Sequence, residues 1–363
     1  MLAPSAIAQP EPTKQTSAVD AGALPGAVSP KDRNAAIKYL AVFSQLPKAE
    51  MVSGIDWDVI GTSLDASKMP EDYKKVAALV DREQIDALRR ATALNKCDFE
   101  NHYEEGWAML LPSLGRFRHA ARLMRVDTRE AMIRGDLDRA TDNIVALFRM
   151  VDHVTRDPIL ICSLVGNAMS EYYLGEVRTL INAPGVTREQ KQRIADAIRA
   201  MGDDPFNARG SVEGERSLSL KWMRDVVRNN PDNGRAKIVE AIGLSGDAQN
   251  DSPEHALVLS LGREELLAFI DLADPVYDDI LAAWDTPDAI DRFKEIEARI
   301  QSGGYGLFAS IFAPAFSKAR YSTSLGELHL RQLVDDLESR PAKVAAPAVS
   351  PAPSPATSPA KPR

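Results

Sequence analysis

Residues 137–154 read Leu137-Asp138-Arg139-Ala140-Thr141-Asp142-Asn143-Ile144-Val145-Ala146-Leu147-Phe148-Arg149-Met150-Val151-Asp152-His153-Val154, and this stretch decides the fold class. Leu137, Ala140, Ile144, Leu147, Val151 and Val154 recur in alternating steps of three and four, the spacing of a single stripe on one face of an α-helix. Asp136 stands at the start of the stripe, where a carboxylate complements the helix dipole, and Pro158 lies just past its end. Upstream, Leu114, Phe117, Ala121 and Met124 form a second stripe behind Pro112, a residue suited to a first helical turn. Downstream, Ile159 to Ile181 is apolar nearly all round, so this segment is expected at the centre of the fold, with Leu164 fully buried between neighbouring helices.

The same periodicity predicts helices over 32–46, 71–94, 187–201, 209–228, 261–284, 287–302 and 307–338, the last broken near Pro314 or Ser324. No run of alternating β-branched and aromatic residues competes with them. The expected fold is therefore all-α: stacked helical hairpins, as in a tetratricopeptide-like or irregular α-solenoid, or a multi-helix bundle. Arg134-Gly135-Asp136 with Ala140 has the turn and helix start of a tetratricopeptide unit, but no echo recurs at the period of ~34 residues that such repeats require. The body should run from 31 to 340. A flexible insertion is expected at about 229–256, where Asn229-Asn230-Pro231-Asp232-Asn233-Gly234 is strong turn chemistry, with a short helix near Arg235–Ile242.

Both ends read as tails. Residues 1–30 are rich in Ala, Pro, Ser and Thr without helical periodicity. Within them Ala6 and Ala8 form the A-x-A of a signal-peptide cleavage site, which points to a remnant leader and an exported protein; a cytoplasmic protein with a chance match is the alternative. Residues 341–363 hold seven prolines and seven alanines and no Asp or Glu, a composition expected to stay disordered.

Of 363 residues 44% are hydrophobic, enough for a substantial core. The formal net charge of −8 disfavours a general nucleic-acid binder, the more so because the tail contributes three of the positive charges. Mean hydropathy is −0.24, and no apolar run reaches the ~18 residues of a membrane span. Two cysteines cannot build a disulfide framework; Cys97 and Cys162 could form one bond in an exported protein or remain thiols.

Several short motifs, in order, resemble a family of uncharacterised helical proteins from planctomycete bacteria. They are Asn34-Ala35-Ala36 with Tyr39 and Leu46-Pro47; Cys97 with Glu105-Gly106; Leu111-Pro112 with Arg122-Leu123; Gly135-Asp136 with Ala140; Asp157-Pro158 with Leu164-Val165; and Gly214-Glu215-Arg216. The resemblance covers about half the chain and fades in the last third, where Tyr321 and Gly326 are followed by Glu327 rather than by proline. It implies a helical fold and export, and no activity.

Catalytic signatures are weak. The five histidines are dispersed, and no H-E-x-x-H helix occurs. Asp98, Glu100, His102, Glu104 and Glu105 cluster after Cys97; on a loop they could hold a cation, but their spacing fits no known cage, and a polar connection is the simpler reading. Gly243-Leu244-Ser245-Gly246 and Gly304-Tyr305-Gly306 only imitate a nucleophile elbow and a dinucleotide loop, because neither follows a strand. No catalytic residue, metal ligand or cofactor is assigned.

Arg118, Arg122, Arg125 and Arg129 step by four, three and four along one helix face. Either they pair with Asp136, Asp138 and Asp142 of the next helix, or they form a face for an anion or an acidic partner. Glu213, Glu215 and Arg216 pose the same choice within one helix, and an internal ion pair is expected there rather than an acid/base pair. The functional expectation is a non-enzymatic scaffold that binds a protein or peptide, with Trp107, Tyr172 or Trp222 as candidate contact aromatics. The alternative is a small-ligand binder or hydrolase-type enzyme using the 98–105 acidic cluster.

Overall fold

The computed structural model describes residues 33–52, 54–241, 253–312 and 314–339. The expected tails at 1–30 and 341–363, the A-x-A site and the Gly243–Gly246 motif lie outside them. Of the described residues 76% are helical, and none forms a strand. The protein is all-α. In chain order the helices are α1 (Ala35–Phe43), α2 (Trp57–Ile60), α3 (Glu71–Ala77), α4 (Arg82–Thr92), α5 (Pro112–Ile133), α6 (Leu137–Thr155), α7 (Leu160–Asn182), α8 (Arg188–Arg199) and α9 (Ala208–Arg216). They continue as α10 (Trp222–Asn229), α11 (Gly234–Ala241), α12 (Pro253–Ser260), α13 (Arg263–Asp271), α14 (Asp274–Trp284), α15 (Ala289–Gln301), α16 (Gly306–Phe312) and α17 (Pro314–Ser339).

Local chemistry sets these boundaries. Pro112 occupies the first turn of α5. Gly135 takes φ 76° between α5 and α6, where Asp136 accepts the Arg139 amide at 3.2 Å as the cap of α6. Thr187 and Gln190 close a capping box on α8. The segment predicted as one helix over 71–94 is two, because the Asp81 side chain accepts the Glu83 amide at 2.9 Å and starts α4 afresh. The segment 261–284 also divides, with Pro275 in the first turn of α14. Residues 209–228 are continuous but pass through a π-helical turn at Ser217–Lys221.

Short connections make α5, α6, α7 and α8 successive antiparallel neighbours. α1, α4, α6 and α8 lie side by side in one layer, and α3, α5, α7 and α9 in a second; α17 closes against α7 and α8. Ala140, Ile144, Leu147, Val151 and Val154 are all buried between the layers. The buried apolar side chains fall into two clusters. The first lies under α1 to α8 and receives Leu330, Leu333 and Leu337 from α17; the second gathers α9 to α16 with Phe316 and Ala319. The clusters meet between Phe206 and Ala208, which is the seam of the body.

Within the segment expected as an insertion at about 229–256, α11 is the expected short helix, with Ile238 and Val239 buried in the second cluster, while 242–252 lie outside the described residues. One further expectation is corrected. α7 is central, with Met169, Tyr173 and Val177 fully buried, yet Leu164 is only half-buried at the seam and Ile161 is 46% exposed. Apolarity on every side of α7 therefore serves two cores and a stretch of surface.

Polar groups stitch the seam. Ser163 and Ser211 hydroxyls meet at 2.5 Å, and Asn207 Nδ2 donates to the Thr155 carbonyl at 3.0 Å. Glu215 accepts the Leu160 amide at 3.0 Å, at the start of α7. The expected pair with Arg216 does not form, because Arg216 turns instead to Asp274 at 2.6 Å and Asp278 at 2.8 Å on α14. Burial raises the Glu215 pKa, and the amide bond from Leu160 only partly offsets that. A carboxyl whose pKa is higher folded than unfolded binds its proton more tightly in the folded state. Its ionisation therefore costs stability progressively as pH rises from the ordinary glutamate range through the folded pKa. Glu215→Gln should accordingly be more stable than wild type by about 1 kcal/mol at pH 7.5. The advantage should disappear near pH 4, which denaturant melts across that range will read.

Candidate functional site

The arginine row divides in two. Arg129 is fully buried and saturated: Nε and Nη2 donate to Glu176 at 2.8 and 2.9 Å, and Nη1 donates to the carbonyls of Gly61 and Ser63 at 3.1 and 2.9 Å. Arg125 donates to the same Glu176 at 2.9 Å, and its guanidinium stacks 3.6 Å from the Trp57 ring centroid. The partner is thus Glu176 of α7, and not the aspartates of α6. Those carboxylates leave α6 on the flanks facing α4 and α8. Asp136 lies 3.8 Å from Arg82, Asp138 accepts Gln190 at 2.7 Å, and Asp142 pairs with Arg89 and Arg193. The outer half of the row differs. Arg118 is exposed, and Arg122 sits 5.7 Å from the Tyr172 ring centroid. Burial alone would raise the Tyr172 hydroxyl pKa, but hydrogen bonds from Arg118 and Arg122 outweigh it and hold the group below its ordinary value.

The 98–105 residues do not converge. The Asp98 backbone exchanges hydrogen bonds with the Asn34 side chain at 3.0 and 2.7 Å, and its carboxylate accepts the Glu100 amide at 2.9 Å and lies 3.3 Å from Lys96. Glu100 takes φ 53°, which turns the loop, and is exposed. His102 and Glu104 form an exposed pair at 2.9 Å that raises the imidazole pKa, and Glu105 is exposed beside them. Among the described residues no three His, Cys, Asp or Glu side chains form a group able to hold a metal ion. A half-buried carboxylate of the region is Asp157, which accepts Tyr103 Oη at 2.5 Å and Asn101 at 2.9 Å. Burial raises its pKa despite both bonds, and burial also pushes the Cys97 thiol up to about 12. Cys97 and Cys162 are both free thiols. Tyr172 and Trp222 are half-buried; the Trp107 side chain lies outside the description.

A groove of about 650 Å³ opens elsewhere, across α4, α6 and α8. Its floor is made of small apolar residues, Ala93, Val145, Ala146 and Ala197, which leave a hollow between helices that larger side chains would fill. Its rim is charged. Arg89 and Arg193 reach Asp142 from opposite sides, Arg89 also holds Asp86 at 3.1 Å, and Asp86 takes Arg139 at 2.9 Å. Asp196 accepts Gln192 at 2.8 Å. Every carboxylate of the rim is therefore engaged. Arg90 and Arg149 are exposed on the same rim, and among the described residues no carboxylate lies within ion-pair distance of either. Arg90 also borders a second groove, of about 610 Å³, between α1 and α4.

None of these groove residues stands out as a motif in the sequence. One signal was present: Asp142, Val145, Ala146 and Arg149 are spaced i, i+3, i+4 and i+7, a second and weaker stripe on α6 beside its core stripe. No helix among the described residues is long and apolar enough to cross a membrane. Comparisons of the chain with protein-family models, with curated proteins and with solved structures found no match.

Proposed function

We propose that the protein is a non-enzymatic helical scaffold that binds a protein or peptide in the groove across α4, α6 and α8. The observation that carries this reading is the imbalance of that groove: its acids are all paired, while two arginines stand over an alanine-lined floor with no acid among the described residues to meet. An unpaired guanidinium beside apolar surface is suited to recognising another chain, because it supplies directional donors while its stem packs on apolar atoms. The absence of converging carboxylates at 98–105 weighs against the hydrolase alternative. The reading includes export, on the strength of Ala6 and Ala8 and of the resemblance to exported helical proteins.

A photo-crosslinking side chain placed singly at Ala93 or Ala200, both exposed and lining the groove, tests the reading in native host cells. Discrete protein adducts are expected from these two positions and not from Ile290 or Leu272, exposed sites outside the groove. Adducts from Ile290 or Leu272 alone, or none from the groove, would refute it.

A further inference from the structure

We infer that the occupant of the α4–α6–α8 groove is an acidic peptide segment, with at least two carboxylates close together among small apolar residues; this rests on the scaffold reading above. Charge complementarity argues for it. The groove presents two cations with no ion-pair partner among the described residues, Arg90 from α4 and Arg149 from α6, so an occupant with two anionic groups can meet both. Neighbouring packed helices stand roughly 8–10 Å apart, and the two long side chains can converge over that gap. Carboxylates at i and i+2 of an extended chain, roughly 7 Å apart, would match them.

Discrete carboxylates suit the rim better than a polyphosphate backbone does. Asp86, Asp142 and Asp196 share the rim with the arginines, and ion pairs tie Asp86 and Asp142 to Arg89, Arg139 and Arg193. A regularly charged strand would be driven against those aspartates wherever it was not on an arginine, whereas a peptide can place neutral residues there. The floor of Ala93, Val145, Ala146 and Ala197 has no aromatic ring on which a base could stack, and it offers small apolar contacts to alanine- or leucine-sized side chains. Arginine gives each carboxylate a bidentate partner that lysine cannot.

The test uses the full chain and three fluorescent probes in anisotropy titrations: a 12-residue peptide alternating glutamate with alanine and leucine, its lysine counterpart, and a single-stranded oligonucleotide carrying the same number of negative charges. The wild-type chain should bind the glutamate peptide and not the lysine peptide, and should hold the oligonucleotide at least tenfold more weakly. Arg90→Ala with Arg149→Ala should weaken the glutamate peptide at least tenfold. Both residues are exposed, so helicity should be unchanged, and the Arg90→Lys with Arg149→Lys chain should recover part of the loss. Failure of wild type to bind the glutamate peptide, equal binding by the alanine variant, or preference for the oligonucleotide would each overturn the inference. The two levels fail separately. Cross-links from Ala93 and Ala200 to a partner segment without acidic residues would leave the scaffold standing and remove the acidic occupant.

Discussion

Glu176→Gln should destabilise the protein by about 3–5 kcal/mol, on the order of 10 °C in melting temperature. Glu176 is fully buried and, among the described residues, is the only carboxylate serving both Arg125 and Arg129, with Arg129 itself fully buried. The neutral amide preserves volume but leaves two guanidiniums facing each other in a poor dielectric, and it brings donors where acceptors are needed. The damage should spread to the α2 region, because Arg129 also holds the carbonyls of Gly61 and Ser63, and Arg125 stacks on Trp57. Asp142→Ala provides the contrast. Its partners Arg89 and Arg193 are 25% and 43% exposed, and solvent screens such pairs, so the cost should stay within about 1 kcal/mol. Denaturant melts of the two variants side by side check this; a loss at Glu176 no larger than at Asp142 would show that the buried triad does not hold α5, α7 and the 57–64 loop together.

Gly214→Ala should be comparably severe, costing about 3 kcal/mol or more. Gly214 faces the backbone of Pro158 where α9 crosses the α6–α7 connection, and an added Cβ would overlap the Pro158 carbonyl oxygen. Backbone cannot swing aside as a side chain can, so the two helical cores must separate at the seam. Overpacking of a core typically costs 1–3 kcal/mol, and this contact belongs at or above the top of that range because the obstacle is main chain. Gly115→Ala is the control: it lies in α5 with nothing within 4 Å of an added Cβ, so alanine should stabilise by about 0.5–1 kcal/mol through helix propensity alone. Opposite signs at the two glycines are expected in thermal melts; equal effects would mean that α9 does not pack as closely on the connection as described.

The helices were largely legible because their signals are local. The stripe from Leu137 to Val154, the proline at 112 and the turn at Gly135 each act within one or two helical turns, and each element is where they place it. What escaped depends on residues far apart in the chain. Arg129 reads as one member of a solvated row, and only packing shows that Glu176, 47 positions away, takes it into the core. Asp81 is a cap that periodicity alone overlooks inside 71–94. Leu164 is apolar in an apolar helix, yet sits at a seam that no single-helix pattern reveals. The groove follows the same rule: Arg90, Arg149 and Ala197 come from three helices, and their meaning lies in which neighbours they lack.

Hydrogen–deuterium exchange of the full chain with and without the glutamate-rich peptide tests the assignment of the binding face most directly. Peptide binding should slow exchange in α4 (Arg82–Thr92) and α8 (Arg188–Arg199), which flank the groove, and leave α14 and α15 unchanged. Slowing confined to α14 and α15, with α4 and α8 unaltered, would contradict it.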